Sequence, residues 1–252
     1  MTVKLYVVHG SHPCATVQRA LELKGIPYKL VELPPPMHMA AMKLRFGQRT
    51  VPAMSIDGEK ISGSRAILRR LDQLQPEPAL LPADPAARAR VEEAEAWGDE
   101  VLQALVRRVL WPTFRAHPEA MATYSEGSKL PAMPLPVLKA MAPLVTGIEL
   151  RANQASEATY PQDLRRLPEL LDRVDAWIAD GTLGGEQPNA ADLQIASSLR
   201  LLMTLGDVRP LIAPRPAGEL AMRLFPTFPG DVPTGMIPAD LLPAAPAASA
   251  AA

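Results

Sequence analysis

The chain has few of the residues that build disulfides and metal sites. A single cysteine, Cys14, among 252 residues excludes an internal disulfide. His9 and His12 stand near it in the sequence, whereas His38 and His117 are isolated. Because no cluster has the spacing of metal ligands, we expect no bound metal.

A charge excess of either sign is also missing, as is any long apolar run. The sequence has 26 basic and 27 acidic residues, a net charge of -1 and a pI of about 6.4. This balance argues against nucleic-acid and anionic-membrane partners. No apolar run is long enough to span a bilayer, and the N-terminus lacks the layout of a signal peptide. We therefore expect a cytoplasmic protein.

Strand and helix patterns alternate through the first third of the chain. Hydrophobic residues make up 48% of the sequence, enough for a sizeable core. Asp57-Gly58 predicts a tight hairpin turn between two of the strands. The order of elements, β-α-β-α-β-β-α, predicts an α/β domain over residues 1–78.

The rest of the chain carries no strand pattern. Residues 79–86 are interpreted as a linker, and residues 87–243 predict an all-helical C-terminal domain. Its first long helix is expected to end at Trp111-Pro112. Residues 225–242 combine many Pro and Gly with a few apolar residues, which predicts an ordered wrap. The Ala/Pro/Ser segment 244–252 is predicted to be disordered.

One helix of the C-terminal domain has a clear start signal. Asn189 stands at its predicted N-cap, and Asp192 follows three residues later, which is a variant of the capping box. The residues up to about 205 are apolar on nearly every side of this helix. We therefore expect it at the centre of the helical domain.

Ser11 to Cys14 form the start of the first helix, directly after an apolar strand. Pro13 suits the first turn, where its missing amide hydrogen has no helical partner. The helix dipole favours an anion at this end, so a thiolate beside Ser11 would have its pKa lowered. The alternative is an ordinary helix start with an inert cysteine.

Four local signatures, in this order, resemble the cytosolic glutathione transferase superfamily over residues 1 to about 205. Residues 11–28 are similar to its first active-site loop and helix, and Thr50-Val51-Pro52 to its cis-proline corner. Residues 63–67 are similar to its Glu-Ser-x-Ala-Ile turn, and residues 189–192 to its helix-capping box. The resemblance implies a thioredoxin-like domain followed by an all-α domain, and it favours a homodimer.

The resemblance also implies a site for glutathione or another low-molecular-weight thiol. Ser11 falls where the family hydrogen-bonds the thiol sulfur, and Val51 and Pro52 fall where it pairs with the cysteinyl backbone. Ser64 would receive the γ-glutamyl carboxylate, with Arg65 adding a cation beside it. Many relatives have Glu before this serine; Gly63 replaces it here.

Three functions follow from these residues. The first is a transferase in which Ser11 activates a thiol for attack on a small-molecule electrophile, with Trp111, Phe114 and Tyr124 as candidate walls of its cleft. The second is a thiol oxidoreductase with Cys14 as nucleophile, which requires an exposed thiol of depressed pKa. The third is a non-catalytic binding protein on the same fold. The pKa of Cys14 and the affinity for thiols distinguish the three.

Overall fold

The computed structural model describes residues 1–243, so the predicted tail at 244–252 lies outside the described residues. The N-terminal part contains a four-stranded mixed sheet in the order β2-β1-β3-β4. Strand β1 is parallel to β2 and antiparallel to β3, which is antiparallel to β4. Its elements are β1 (Val3–Val7), α1 (His12–Leu23), β2 (Lys29–Glu32), α2 (His38–Phe46), β3 (Ala53–Ile56), β4 (Glu59–Ser62) and α3 (Ser64–Leu74).

The side-chain alternation of β1 explains how this sheet is covered. Leu5 and Val7 belong to the main hydrophobic core, which also contains buried residues of α1 and α3. Tyr6 points to the other face, where it forms a smaller cluster with Met42 of α2 and Ala53. The sheet is therefore covered on both faces, as the alternating α/β pattern predicts.

The C-terminal part is helical, which confirms the predicted fold class. The helices are α4 (Pro85–Trp97), α5 (Gln103–Ala116), α6 (Leu135–Ala152), α7 (Thr159–Ala179), α8 (Ala190–Leu202), α9 (Arg209–Ile212) and α10 (Pro216–Leu224). Within the described residues, no helix is both long and apolar enough to cross a bilayer. The linker boundaries at 79–86 stay a prediction.

The predicted helix end at Trp111-Pro112 is wrong. Pro112 lies inside α5, and the helix continues to Ala116. A proline in a helix interior removes one backbone hydrogen bond and clashes with the preceding turn. Here Thr113 and Phe114 are both buried and extend the apolar face of α5, and the Thr113 hydroxyl donates to the carbonyl of Val109. Tertiary packing thus outweighs the local effect of proline.

Helix α8 lies at the centre of the C-terminal part, as predicted, and packs against α1, α4 and α10. All but one of its residues are buried. The first turn of α1 is held against it by hydrogen bonds: His12 Nδ1 lies 3.1 Å from Ser198 Oγ, and Thr16 Oγ1 lies 2.8 Å from Ser197 Oγ. The position of the α1 N-terminus therefore depends on both parts of the chain.

The segment after α10 is an ordered wrap, as predicted. Its backbone pairs with the end of α8: the amide of Val232 donates to the Thr204 carbonyl, and the amide of Gly206 donates to the Val232 carbonyl, both at 2.8 Å. Val232 and Ile237 are buried in the core. These contacts bring the beginning of the wrap close to α1.

Candidate active site

The strand register brings three of the predicted site segments to one edge of the sheet. Tyr6 of β1 pairs with Ala53 of β3, and Ala53 pairs with Ser62 of β4. The cis-proline corner and the start of α3 each adjoin one residue of this row, and the β1–α1 loop begins two residues after Tyr6. Since neighbouring strands lie about 4.8 Å apart, the three residues of the row lie within roughly 10 Å of one another.

Ser11 is the N-cap residue of α1, yet its hydroxyl makes no capping hydrogen bond. Its backbone amide donates to the Val8 carbonyl at 3.2 Å, which fixes the end of the β1–α1 loop. The side chain is half-buried, and no acidic residue occupies the first turn. The hydroxyl is therefore free to donate to a ligand at the positive end of the helix dipole.

Cys14 is not placed to act as a nucleophile, which corrects its assignment as a candidate catalytic residue. The thiol is 1% exposed and packs in the hydrophobic core. Burial raises the pKa of Cys14 to about 11, although the Ser11 side chain, the Val8 backbone and the Arg107 charge oppose the rise. Desolvation of the thiolate thus outweighs the stabilisation that a helix N-terminus offers.

The Val51-Pro52 peptide bond is cis, as predicted. The Pro52 carbonyl accepts from the amide of Gly63 at 3.0 Å, which ties this corner to the start of α3. Gly63 has φ 87° and ψ 142°, a conformation that side-chain-bearing residues rarely adopt. A glycine in place of the relatives' glutamate thus fits the local backbone.

Ser64 is the first residue of α3 and is 5% exposed. Among the described residues its hydroxyl has no hydrogen-bond partner. Arg65 is instead occupied: its Nε lies 3.5 Å from a Glu95 carboxylate oxygen, and its Nη1 lies 3.6 Å from Glu100. The structure therefore leaves Ser64 available to a ligand and engages the Arg65 cation with acids of the C-terminal part.

A cavity of about 360 Å³ opens beside Ser11. It lies between the β1–α1 loop, the outer face of α1, the end of β2 and the beginning of the wrap. Phe225, Phe228 and Pro229 supply much of its apolar lining, whereas Glu32 and Lys129 add polar groups. Ser11 thus lines this cavity, whereas Val51 and Ser64 do not.

Comparison with known proteins assigns the N-terminal part directly. Residues 5–79 match the family described as "Glutathione S-transferase, N-terminal domain". A maleylpyruvate isomerase from Ralstonia sp. is 37% identical over 97 residues, which cover 37% of this chain and 46% of the relative. A glutathione S-transferase from Arabidopsis thaliana is 30% identical over 131 residues, covering 50% of this chain and 58% of that protein. Residues 5–79 therefore belong to the glutathione S-transferase N-terminal domain family.

The other relatives agree with this membership. A maleylacetoacetate isomerase from Pseudomonas aeruginosa is 36% identical over 98 residues, covering 35% of this chain and 44% of its own length. The chain thus spans about half the length of the curated relatives named here. A glutathione transferase from Populus trichocarpa has the same fold, with a TM-score of 0.62 at 16% identity over 88% of this chain and 93% of that one.

The aromatic residues predicted as cleft walls pack in the hydrophobic core or against it. Phe114 makes edge-to-face contacts with Trp111 and Tyr124, with ring centroids 5.7 and 5.2 Å apart. The Tyr124 hydroxyl hydrogen-bonds Thr204, and a side chain at Gly230 would collide with the Tyr124 ring. These three rings thus hold the helices and the wrap together.

Two polar residues near the α1 N-terminus were missed by the sequence analysis. His12 is 3% exposed, and burial together with the Arg107 charge lowers its pKa well below the usual range. Arg107 comes from α5 and is half-buried. Its sequence signal was available: it follows Gln103 by four residues and precedes Leu110 by three, on the buried face of α5.

Metal ligands are not grouped in the described part of the chain. No three His, Cys, Asp or Glu side chains within residues 1–243 lie together as a metal site would require.

Proposed function

We propose that this chain is a glutathione-dependent transferase in which Ser11 activates a bound thiol for attack on a small-molecule electrophile. The observation that carries the proposal is the free Ser11 hydroxyl, half-buried at a helix N-terminus and beside a cavity. The Ser64 hydroxyl, which also lacks a protein partner among the described residues, lies at the same sheet edge. Free hydroxyls at two helix starts fit a peptide thiol with a terminal carboxylate.

Each residue has one task in this proposal. When bound, glutathione supplies the sulfur that reacts with the electrophile. The Ser11 hydroxyl donates a hydrogen bond to the thiolate, and the α1 dipole stabilises the same charge. Val51 and Pro52 offer backbone groups to the cysteinyl part, and Ser64 binds the γ-glutamyl carboxylate. Arg65, already paired with Glu95 and Glu100, holds α3 in position rather than binding the carboxylate itself.

The cavity beside Ser11 is the proposed electrophile site. Its volume of about 360 Å³ suits a small molecule, and its lining combines apolar rings with a few polar groups. The thiol would approach from the β3 side and the electrophile from the β2 side, so that they meet at Ser11. A homodimer in the cytoplasm remains part of the proposal, since the resemblance favours it.

A second candidate is a thiol-dependent isomerase. The names of two relatives, maleylpyruvate isomerase and maleylacetoacetate isomerase, favour it. The same residues would serve, because an activated thiolate can add to an unsaturated acid and leave again after rotation of the bond. Assays of the wild-type protein should therefore include both conjugation and cis-trans isomerisation of unsaturated acids.

The test compares Ser11→Ala with Cys14→Ala in conjugation and disulfide-reduction assays. Ser11→Ala should lower the conjugation rate by about one to two decades with little change in glutathione affinity, because one bond to a charged group is lost. Cys14→Ala should retain the rate, because its thiol is buried. A rate lost in Cys14→Ala and kept in Ser11→Ala would instead establish the oxidoreductase.

Thiol identity needs a separate measurement. Thermal shifts with glutathione, mycothiol and bacillithiol would show which thiol stabilises the folded protein, since a ligand raises stability according to its concentration over its Kd. A wild-type protein that binds a thiol and is inactive in every assay would favour a binding protein instead.

A further inference from the structure

Helix α8 makes hydrogen bonds behind two walls of the cavity beside Ser11. On one side, Ser198 Oγ lies 3.1 Å from Nδ1 of His12, the residue that follows Ser11. On the other side, Arg200 Nε donates to the Phe225 carbonyl at 2.7 Å. Ser11 and Phe225 both line the cavity, so one helix supports two of its walls.

The two contacts leave α8 in different directions. Ser198 and Arg200 are two positions apart, and an α-helix turns about 100° per residue, so their side chains lie about 200° apart around the helix axis. Ser198 is buried, whereas Arg200 is the one residue of α8 that is not. The second guanidinium donor, Nη2, reaches the Pro226 carbonyl at 3.4 Å. Helix α8 thus lies between the start of α1 and the start of the wrap.

Further hydrogen bonds restrain both connections. On the α1 side, Thr16 Oγ1 lies 2.8 Å from Ser197 Oγ. On the wrap side, the Val232 amide donates at 2.8 Å to the carbonyl of Thr204, just beyond the end of α8. The distance between the start of α1 and the wrap is therefore set through α8.

We propose that α8 sets the distance between a thiolate held at Ser11 and an electrophile that packs against Phe225. Ser198, which acts through His12, and Arg200 are its positioning residues. This inference rests on the proposed function, because it needs the thiol at Ser11 and the electrophile in the cavity. Correct placement of two reactants contributes much of the rate of a bimolecular reaction, and a displacement of about 1 Å can cost roughly a hundredfold.

The experiment compares two electrophiles at saturating glutathione. Chlorodinitrobenzene carries an aromatic ring that can pack against the wall, whereas iodoacetamide is too small to extend from Ser11 to the wall. In both reactions the thiolate sulfur forms a bond to carbon and a halide ion leaves. The quantity measured is the ratio of kcat/KM for chlorodinitrobenzene to kcat/KM for iodoacetamide. A smaller folded fraction or a weaker activation of the thiol lowers both values together and leaves this ratio unchanged.

Ser198→Ala tests the α1 side. It should lower the ratio by about three- to tenfold, as the loss of one hydrogen bond predicts, without changing the affinity for glutathione. Ser197→Ala is the matched control. Both hydroxyls also bond to the Gln194 carbonyl, at 3.0 and 3.2 Å, but Ser197 contacts Thr16, which is one turn further from Ser11. Ser197→Ala should therefore keep the wild-type ratio.

Arg200→Met tests the wrap side and should lower the ratio by a similar factor. Arg200→Lys should retain part of the ratio, because an ammonium group can still donate to one of the two carbonyls. Arg209→Met is the matched control. Arg209 also donates to a main-chain carbonyl, that of Met203 at 2.8 Å, but Met203 does not line the cavity.

The outcomes separate this inference from the proposed function. A ratio that stays at the wild-type value in either Ser198→Ala or Arg200→Met would overturn the inference alone, as would an equal fall in the two control variants. A wild-type protein that conjugates neither electrophile would overturn the proposed function and the inference with it. Alanine favours a helix, so Ser198→Ala should fold and keeps the inference open to refutation even if Arg200→Met does not fold.

Discussion

Neighbouring side chains at the start of α1 lie in opposite environments. The Ser11 hydroxyl is free and borders a cavity, whereas the His12 ring is enclosed. His12 Nδ1 lies 3.1 Å from Ser198 Oγ, and His12 Nε2 has no partner among the described residues. Burial, with the Arg107 charge, lowers the pKa of His12 well below the usual range. The ring is therefore neutral in the folded protein at neutral pH.

This neutrality predicts acid sensitivity. The unfolded chain protonates His12 below pH 6.5 and the folded chain does not, because burial first and the Arg107 charge second lower its pKa. Stability is therefore full above pH 6.5 and falls by up to about 1.4 kcal/mol per pH unit below it. Urea unfolding between pH 5 and 7.5 measures the unfolding free energy over the range in which His12 is protonated in the unfolded chain. The slope of this free energy against pH should be flatter in His12→Gln than in the wild type.

A second buried histidine should also make stability depend on pH, and a third histidine provides a control variant. Burial also lowers the pKa of His38, so some acid sensitivity should persist in His12→Gln. His9→Gln is the control, because that ring is half-exposed and donates from Nε2 to the Glu126 carbonyl at 2.7 Å. A slope as steep in His12→Gln as in the wild type would contradict the neutral assignment.

At the scale of single residues, the sequence predicted what local motifs determine. Ser11 and Ser64 could be placed because each stands beside a helix start that its own neighbours define. Arg107 could not, since its effect on His12 depends on packing between distant elements, which no short motif encodes. Cys14 was assigned chemistry from its position in the helix, but burial by distant elements decides its pKa.

At the scale of elements, the start of α8 gives a second prediction. Asn189 Oδ1 accepts from the Asp192 amide at 3.0 Å, and Asp192 Oδ2 accepts from the Asn189 amide at 2.9 Å, which confirms the capping box. Asp192 also accepts from the Gly184 amide at 2.8 Å. Asn189→Ala should cost about 1 kcal/mol of unfolding free energy, and Asp192→Ala about 1–3 kcal/mol.

Denaturant unfolding of both variants, followed by circular dichroism, measures the order of these effects. Asp192→Ala leaves two half-buried backbone amides without acceptors, so it should be the more damaging change. Thiol binding should be unaffected, because the α1 side chains bond to Leu193, Ser197 and Ser198 of α8 and not to Asn189 or Asp192. Wild-type stability in either variant would show that the box does not hold the helix.

The wrap provides the third prediction. The Asp207 carboxylate accepts from three consecutive amides, those of Gly235, Met236 and Ile237, at 2.7–2.9 Å. Asp207→Ala removes all three acceptors and should destabilise the wrap by about 1–3 kcal/mol. Hydrogen exchange of amides 232–237 should accelerate, whereas Asp240→Ala, an exposed acid without a hydrogen bond in the described residues, should leave it unchanged.

The elements that sequence reasoning placed well are those with strong boundary signals. The Asp57-Gly58 turn lies between β3 and β4, and the Asn189 cap begins α8. Proline misled the analysis at position 112, because its local effect was given more weight than the buried face of α5. The wrap was predicted from its few apolar residues, but its Asp207 anchor joins residues that are about thirty positions apart.

At the scale of the molecule, the two parts of the chain are joined by a buried acid. Glu95 of α4 is 0% exposed and lies between Arg69 and Arg65 of α3. Arg69 binds both carboxylate oxygens, through Nη1 at 2.9 Å and through Nη2. Ser11 and Ser64 lie on the N-terminal part and α4 on the C-terminal part, so this contact helps to fix the relative position of the two parts.

The last prediction concerns this junction. Glu95→Gln leaves the Arg69 guanidinium without its acid and should lower the unfolding free energy by about 1.5–3 kcal/mol. Glu59→Gln is the matched control. Glu59 pairs with Arg70, which is also in α3, but that pair is exposed and lies within one part of the chain. Its loss should therefore change stability by less than about 1 kcal/mol.

Chemical denaturation followed by tryptophan fluorescence and by circular dichroism measures both variants. All three tryptophans lie in the C-terminal part, so fluorescence reports that part alone. If Glu95 couples the two parts, the coincident transitions of the wild type should separate in Glu95→Gln and remain together in Glu59→Gln; equal effects of the two substitutions would show that the junction is held by apolar contacts instead.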